Sequence, residues 1–360
     1  MNNKKNILII SMSSGFGHIR AGEALLNYSK ENLLNVNIDH FNVSNAGLFM
    51  RKYDIAYSNI VKKAPFLWRI MYKYFPVFII NNNFFLEGFF NKAIKNYIIE
   101  KKPDSLIFTN VFAIPMVGYF FKKKFPNAKI GVVVTDYHGH QFYKQSLVDY
   151  YFVANLNVKE DLKKIGVKEE KIIITGIPVD VKFYIKQNVK DLKTKYGINN
   201  DLSVVLFFAT FKISDKDLIE TIEGLINFEP KINLIFVSSG NEKLYKLISD
   251  QFKNKERLFT VNWTDKIDEY MKVSDVIIGK AGGLTVSECL VLKKPMIIIN
   301  PIPGQEEHNA DFIEKNNFGK KVKNADEIFN ILPEMISGKT YNFDSIETEN
   351  PSKKILKYFA

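Results

Sequence analysis

What most constrains this chain is a pattern that recurs along it: a short, largely apolar run, a turn, then a helix-length segment. Asn6–Ser11, Val36–His40, Ser105–Thr109, Lys129–Thr135, Tyr150–Val153 and Lys171–Thr175 form one series of such runs. Leu202–Phe208, Ile232–Val237, Leu258–Val261, Asp275–Ile278 and Pro295–Asn300 form a second. A strand covered on both faces reads as a continuous apolar run, and parallel neighbours need crossover helices between them. The pattern therefore predicts an α/β chain with two doubly wound, Rossmann-like domains facing each other across a cleft. Between the series, Ile177–Asp201 is polar and lysine-rich, with Pro178 and Gly197, and is expected to be the interdomain linker. This puts a first domain at residues 1–180 and a second at 181–345, with residues 346–360 expected to return as a helix to the first domain.

With 360 residues there is ample chain for two such cores. The single cysteine, Cys289, excludes an intrachain disulfide and suits a cytosolic setting. No signal peptide is expected, because a glycine loop follows the first apolar run at once. The longest uncharged stretch, Ser105–Phe121, contains Asn110, Pro115 and Gly118. It is shorter than the roughly 20 apolar residues a membrane span needs, so it reads as a buried strand followed by a helix. Any membrane contact is then peripheral. The net charge of +11 favours anionic partners, whether nucleotide phosphates, acidic lipid surfaces or nucleic acid.

Three loops carry candidate chemistry. The first, Ser13-Ser14-Gly15-Phe16-Gly17-His18, joins a strand to a helix. Gly15 and Gly17 let the backbone approach a ligand, and the helix start behind them favours negative charge. A plain strand-to-helix turn would look the same. His18 adds more, since an imidazole on the cleft edge can act as a general base near neutral pH. The second loop, Thr135-Asp136-Tyr137-His138-Gly139-His140, follows a strand's carboxyl end, where such sheets bind ligands. Asp136, Tyr137 and His140 are candidates for acceptor binding or catalysis, with a solvated loop as the plainer reading. No further ligand cluster accompanies them, so no metal is expected.

The third is Gly279-Lys280-Ala281-Gly282-Gly283-Leu284-Thr285-Val286-Ser287-Glu288, with Asn300-Pro301-Ile302-Pro303-Gly304-Gln305-Glu306-Glu307-His308-Asn309-Ala310 beyond it. The amides of Gly282, Gly283, Leu284 and Thr285 would face a diphosphate at the helix start, with Lys280 beside it. Glu288, one turn in, suits a ribose diol, and Gln305 and Glu306 suit sugar hydroxyls.

These motifs, in this order, resemble the monogalactosyldiacylglycerol synthase and processive diacylglycerol glucosyltransferase family. That family belongs to glycosyltransferase family 28 and is related to the peptidoglycan UDP-GlcNAc transferase. The likeness covers roughly Asn6–Val322. It implies a GT-B fold, a UDP-sugar donor in the second domain, and an inverting transfer that needs no metal or other cofactor. It also implies a lipid acceptor, diacylglycerol first, and a peripheral location on the cytoplasmic face of the cell membrane. His18 becomes the expected base, with Asp136 orienting it or the acceptor. Gly240, Trp263 and Thr264 fall where the family meets the donor nucleotide. Two features depart from the family: Ala209-Thr210-Phe211-Lys212 lacks the usual glycines, and Tyr143 stands where relatives carry Trp. Transfer to a polyprenyl-linked or soluble acceptor, or nucleotide-sugar binding without catalysis, stays open on this reading.

One segment breaks the α/β pattern. Between Arg51 and Lys102, aromatics and basic residues interleave with few acids. Basic residues near an anionic leaflet are each worth about 1 kcal/mol, and aromatics favour the interface. Lys62, Lys63, Trp68, Arg69, Lys73 and Phe75 are the expected membrane contacts, although aromatics also serve as core. Nucleic acid is not an expected partner, because no recognition motif accompanies the charge.

Overall fold

The computed structural model describes residues 4–12, 16–32, 35–45, 92–209, 213–338 and 341–360, with Ala64, Phe66 and Ile70 between them. Gly15, Lys62, Lys63, Trp68, Arg69, Lys73 and Phe75 lie outside the described residues, as do Thr210, Phe211 and Lys212.

The described strands form two all-parallel sheets. The first contains β1 (Lys5–Ser11), β2 (Val36–Asn42), β3 (Ser105–Phe108), β4 (Lys129–Val133), β5 (Tyr150–Val153) and β6 (Ile172–Ile174). The second contains β7 (Ser203–Phe208), β8 (Ile232–Val237), β9 (Leu258–Val261), β10 (Val276–Gly279), β11 (Met296–Ile299) and β12 (Gly319–Val322). Their orders are β2-β1-β3-β4-β5-β6 and β12-β11-β10-β7-β8-β9. Central strands such as β8, β10 and β11 are buried at every residue, which explains their largely apolar sequence; Asn233 in β8 is the polar exception. β12, Gly-Lys-Lys-Val, is polar yet pairs with β11 from Met296↔Gly319 to Ile299↔Val322. An edge strand needs neither two apolar faces nor a long run.

Between the strands run α1 (Phe16–Glu31), α2 (Lys92–Lys101), α3 (Ile114–Lys124), α4 (Leu156–Lys164), α5 (Val189–Lys195), α6 (Asp215–Ile226) and α7 (Glu242–Gln251). They are followed by α8 (Ile267–Val273), α9 (Gly283–Leu292), α10 (Gln305–Lys315), α11 (Ala325–Ile336) and α12 (Pro351–Leu356). Side chains start many of them: Asn155 accepts from Val158 N–H and Ser214 from Asp217 N–H, each quenching an otherwise unpaired helix donor. Each sheet is covered on both faces by its own apolar clusters. The chain's end supplies part of one of them. Ile355, Leu356 and Phe359 pack with Ile7, Ile9 and Phe152 of the first sheet.

The lysine-rich stretch between the sheets is not a bare tether. Ile177, Val179, Phe183, Leu192 and Ile198 are buried with the second domain's core, and α5 lies against α8. The many lysines of this stretch hid that packing from a reading of polarity alone.

In each sheet the chain reverses its direction of travel at one point. In the first this lies between β1 and β3, in the second between β7 and β10. Crevices beyond the carboxyl ends of strands at such points are where open α/β sheets bind ligands. The first and third motif loops follow β1 and β10 and so sit at these two places.

Candidate active site

His18 stands in the first turn of α1, at the reversal between β1 and β3. Its Nδ1 is 2.8 Å from the Thr109 carbonyl oxygen and 2.9 Å from Thr135 Oγ1. A carbonyl oxygen only accepts, so Nδ1 carries the proton and Nε2 holds the lone pair. Burial lowers the His18 pKa to about 4, with the Thr109 bond opposing that shift. The ring is therefore neutral at physiological pH, the form a base must have before it acts. Thr109 is itself held. Its Oγ1 lies 2.7 Å from Ser11 Oγ, which lies 2.7 Å from His40 Nε2.

Facing α1 across the cleft is the start of α9. It opens at Gly282 with no side-chain cap, and Gly17 and Leu284 come close, a Cβ at Gly17 lying 3.8 Å from Leu284 Cβ. The two helix starts thus bring His18 and the expected diphosphate amides to one place. A Cβ added at Gly283 would run into the Thr135 carbonyl oxygen, so only glycine permits this approach of the two backbones.

The acidic residues expected to read the donor are engaged. Glu288, 2% exposed, pairs with Arg20 of α1. Glu306 Oε1 takes Lys280 Nζ at 2.7 Å and its Oε2 takes the Ile302 amide at 2.8 Å. Lys280 and Glu306 therefore partly neutralise each other, rather than standing as a free cation and a free sugar contact. Thr285 lies in the first turn of α9, and Gln305 opens α10.

The loop after β4 crosses between domains. Asp136 does not hydrogen-bond His18; its carboxylate accepts from Gln305 Nε2 at 2.8 Å and Asn309 Nδ2 at 3.1 Å. Burial raises the Asp136 pKa to about 6, against the pull of those two amides. Tyr137, expected at the acceptor, is buried in the second domain's core instead. Its ring stacks on Phe312 at 4.3 Å, its hydroxyl meets Ser287 Oγ at 2.9 Å, and its amide donates to Asn309 Oδ1 at 2.8 Å. His138 stacks on His308 at 3.9 Å and meets Asp161 Oδ2 at 2.9 Å. His140 starts a short turn by accepting from the Phe142 amide and packs on the Phe142 ring. This loop thus acts first as a tie between domains.

Gly240 and Trp263 meet at the carboxyl ends of β8 and β9. Gly240 has φ +85°, which a glycine adopts freely, and its amide donates to Asn262 O at 2.9 Å. Trp263 is 70% exposed, with Cδ1 3.6 Å from where a Gly240 Cβ would be. Thr264 turns its hydroxyl to the Lys266 amide, at 3.0 Å. Among the described residues, no helix is long and apolar enough to cross a membrane.

Sequence reasoning missed Arg20, Thr109, Thr135 and Asn309 as parts of this site. Thr109 and Thr135 end apolar runs and Asn309 lies inside the third motif's second loop, so position alone gave a signal for those three. Arg20 had none, because its partner is 268 residues away.

Comparison with known proteins shows what the two halves of the chain are similar to. Residues 18–179 match the family model for monogalactosyldiacylglycerol synthase, and residues 214–357 match that for the glycosyltransferase family 28 C-terminal domain. A processive diacylglycerol beta-glucosyltransferase of Staphylococcus aureus (strain MRSA252) is 29% identical over 98% of this chain and 90% of its own length. That of strain Newman is 28% identical over the same shares. Among solved structures, a UDP-GlcNAc 2-epimerase from Neisseria meningitidis bound to UDP-GlcNAc has TM-score 0.65 at 15% identity, covering 98% of this chain and 99% of that one. Acinetobacter baumannii MurG has TM-score 0.58 at 11% identity, covering 99% of both. At such identities these structures speak for the fold, which is GT-B. Matched in order, the first half of the chain resembles monogalactosyldiacylglycerol synthase, the second half carries the glycosyltransferase family 28 C-terminal domain, and nearly the whole chain is similar to processive diacylglycerol glucosyltransferases.

Proposed function

We propose that this glycosyltransferase moves a hexose from a UDP-sugar to a lipid hydroxyl, diacylglycerol first among acceptors, on the cytoplasmic face of a membrane. The observation that carries the reading is His18: neutral, with Nδ1 committed to the Thr109 carbonyl, and set opposite the uncapped start of α9.

In the reaction the acceptor oxygen attacks the anomeric carbon as His18 Nε2 takes its proton. The bond from that carbon to the β-phosphate oxygen breaks, and UDP leaves with the electron pair. Attack opposite the leaving group inverts the anomeric carbon. The charge on UDP is met by the α9 amides at Gly283, Leu284 and Thr285 and by Lys280, without a metal. Fixed donors aimed at developing charge are usually the largest catalytic contribution. Glu288 holds the ribose, Gln305 reads the hexose, and Gly240, Trp263 and Thr264 frame the base. The Thr135 carbonyl lies against Gly283, so the two lips of the cleft meet beside these amides. The acceptor approaches along the first domain, past Gly15, Gly17 and His140. Lys62, Lys63, Trp68, Arg69, Lys73 and Phe75 dock that domain on an anionic membrane.

The test is UDP release from a panel of UDP-sugars, each offered diacylglycerol liposomes, a polyprenyl phosphate or a water-soluble glycoside, with and without chelator. Release is expected with diacylglycerol and unaffected by chelator. Release only with another acceptor would replace the lipid assignment. Binding of a UDP-sugar with no release to any acceptor would remove the catalytic one.

A further inference from the structure

Arg20 and Glu288 belong to different domains and meet side chain to side chain. Glu288 is almost wholly enclosed, its side chain 3% exposed, whereas that of Arg20 is 34% exposed. A carboxylate so enclosed is costly to keep charged unless a cation pairs with it. The guanidinium reaches only Oε1, through Nη2. A bidentate fork would have used both carboxylate oxygens. Arg20 also sits two residues beyond His18 on the same helix.

We infer that Arg20 is a positioning residue for the donor nucleotide: it holds Glu288 by one oxygen, keeps it anionic, and leaves Oε2 to accept from ribose hydroxyls. This rests on the reading that Glu288 takes the ribose. It also ties the ribose carboxylate to the helix that carries the base, so a seated nucleotide and a placed His18 become parts of one arrangement.

The surrounding charges support the assignment. Burial raises the Glu288 pKa; Arg20 opposes that first and Lys182 second, while Asp180 adds to the rise. Lys182 is otherwise spent on the Asp265 carbonyl, at 2.5 Å, and Asp268, at 3.9 Å. Asp180 is held by Asn27 Nδ2 at 2.8 Å, and Glu23 lies within the influence of Arg20, Asp180 and Lys182. The buried Cys289 thiol follows on α9. Among the described residues, Arg20 is thus the one cation bonded to Glu288, and its loss would leave a carboxyl that protonates more readily.

The experiment is calorimetric titration of the full chain with UDP and with 2′-deoxy-UDP, for wild type, Arg20→Ala and Arg20→Lys, across pH 6 to 8.5, with thermal melts to establish folding. Wild type should bind 2′-deoxy-UDP at least about tenfold more weakly than UDP, as expected for a hydrogen bond to a charged group. Arg20→Ala should bind UDP about tenfold more weakly at pH 6 and show little preference for the 2′-hydroxyl. Both should recover as pH rises and Glu288 ionises. Arg20→Lys, which keeps the charge, should retain most of the affinity and the preference. Arg20→Ala that keeps full 2′-hydroxyl preference at every pH overturns the inference, whatever its affinity, and marks Arg20 as only an interdomain tie. Wild type without any 2′-hydroxyl preference would instead overturn the ribose assignment of Glu288, and the role of Arg20 with it.

Discussion

Replacing Tyr137 separates what its hydroxyl contributes from what its ring contributes. The side chain leaves the first domain and ends in the second domain's core. Ser287 Oγ donates to the Gly283 carbonyl at 2.8 Å, so it accepts from Tyr137, whose hydroxyl donates across 2.9 Å. Tyr137→Phe removes that donor and leaves the Ser287 proton satisfied, so the loss is that of one net hydrogen bond, about 1 kcal/mol. Tyr137→Ala also removes the ring stacked at 4.3 Å on Phe312. Deleting a buried aromatic costs about 3–5 kcal/mol, of which stacking is about 0.5–1.5. The ring joins two domains, so the larger cost should fall on their coupling. In calorimetric unfolding, the wild type and Tyr137→Phe should melt in one transition. Tyr137→Ala should split it, with the first domain melting earlier. Equal costs for the two variants, or an unsplit and unshifted transition in Tyr137→Ala, would refute the interdomain anchor.

Three further expectations concern Asp136, Gly283 and the basic residues of the first domain. The Asp136 carboxyl rises from 3.8 to about 6 in the folded chain, mainly by burial. The native state therefore binds the proton more tightly than the unfolded one, and this favours folding below about pH 4 and is lost as pH rises toward 6. Asp136→Asn should then raise denaturant stability at pH 7 by up to about 3 kcal/mol and change it little at pH 4. Greater stabilisation at pH 4 than at pH 7 would contradict the sign. Gly283→Ala should cost about 1–3 kcal/mol and loosen the domain contact, because its Cβ meets the Thr135 carbonyl. An unchanged melt and unchanged protease resistance between the domains would show that the lips do not touch in solution. Replacing Lys62, Lys63, Arg69 and Lys73 together should weaken binding to anionic vesicles by about 4 kcal/mol at most and flatten its salt dependence. Equal binding of wild type to neutral and anionic vesicles would remove these residues from docking.

The fold was legible because its central strands are covered on both faces. β8, Ile-Asn-Leu-Ile-Phe-Val, and β11, Met-Ile-Ile-Ile, have sequences that fit little else between helices. β12 was not, since Gly-Lys-Lys-Val has an edge strand's freedom to be polar. Of the site, the glycine loops and His18 were legible because their chemistry is local: a turn, a helix start and an imidazole. What joins the domains was not. The partners of Asp136, Tyr137 and Glu288 lie 150 residues or more away, and a carboxylate gives no sign along the chain of which amide or guanidinium it will meet. Asp136 is the clearest case, since its place beside the histidines suggested orientation of a base and its contacts are instead Gln305 and Asn309.

The central claim is that neutral His18 takes the acceptor's proton during hexose transfer. Its most direct test is single-turnover reaction of labelled UDP-glucose with diacylglycerol liposomes, comparing wild type with His18→Ala and resolving products by chromatography. Wild type should yield a labelled glycolipid of inverted anomeric configuration. His18→Ala should slow its formation by about 10²- to 10⁴-fold, the usual worth of a general base, with UDP affinity unchanged. A His18→Ala enzyme as fast as wild type would contradict the account, and so would a wild-type product that is an epimerised sugar nucleotide rather than a glycolipid.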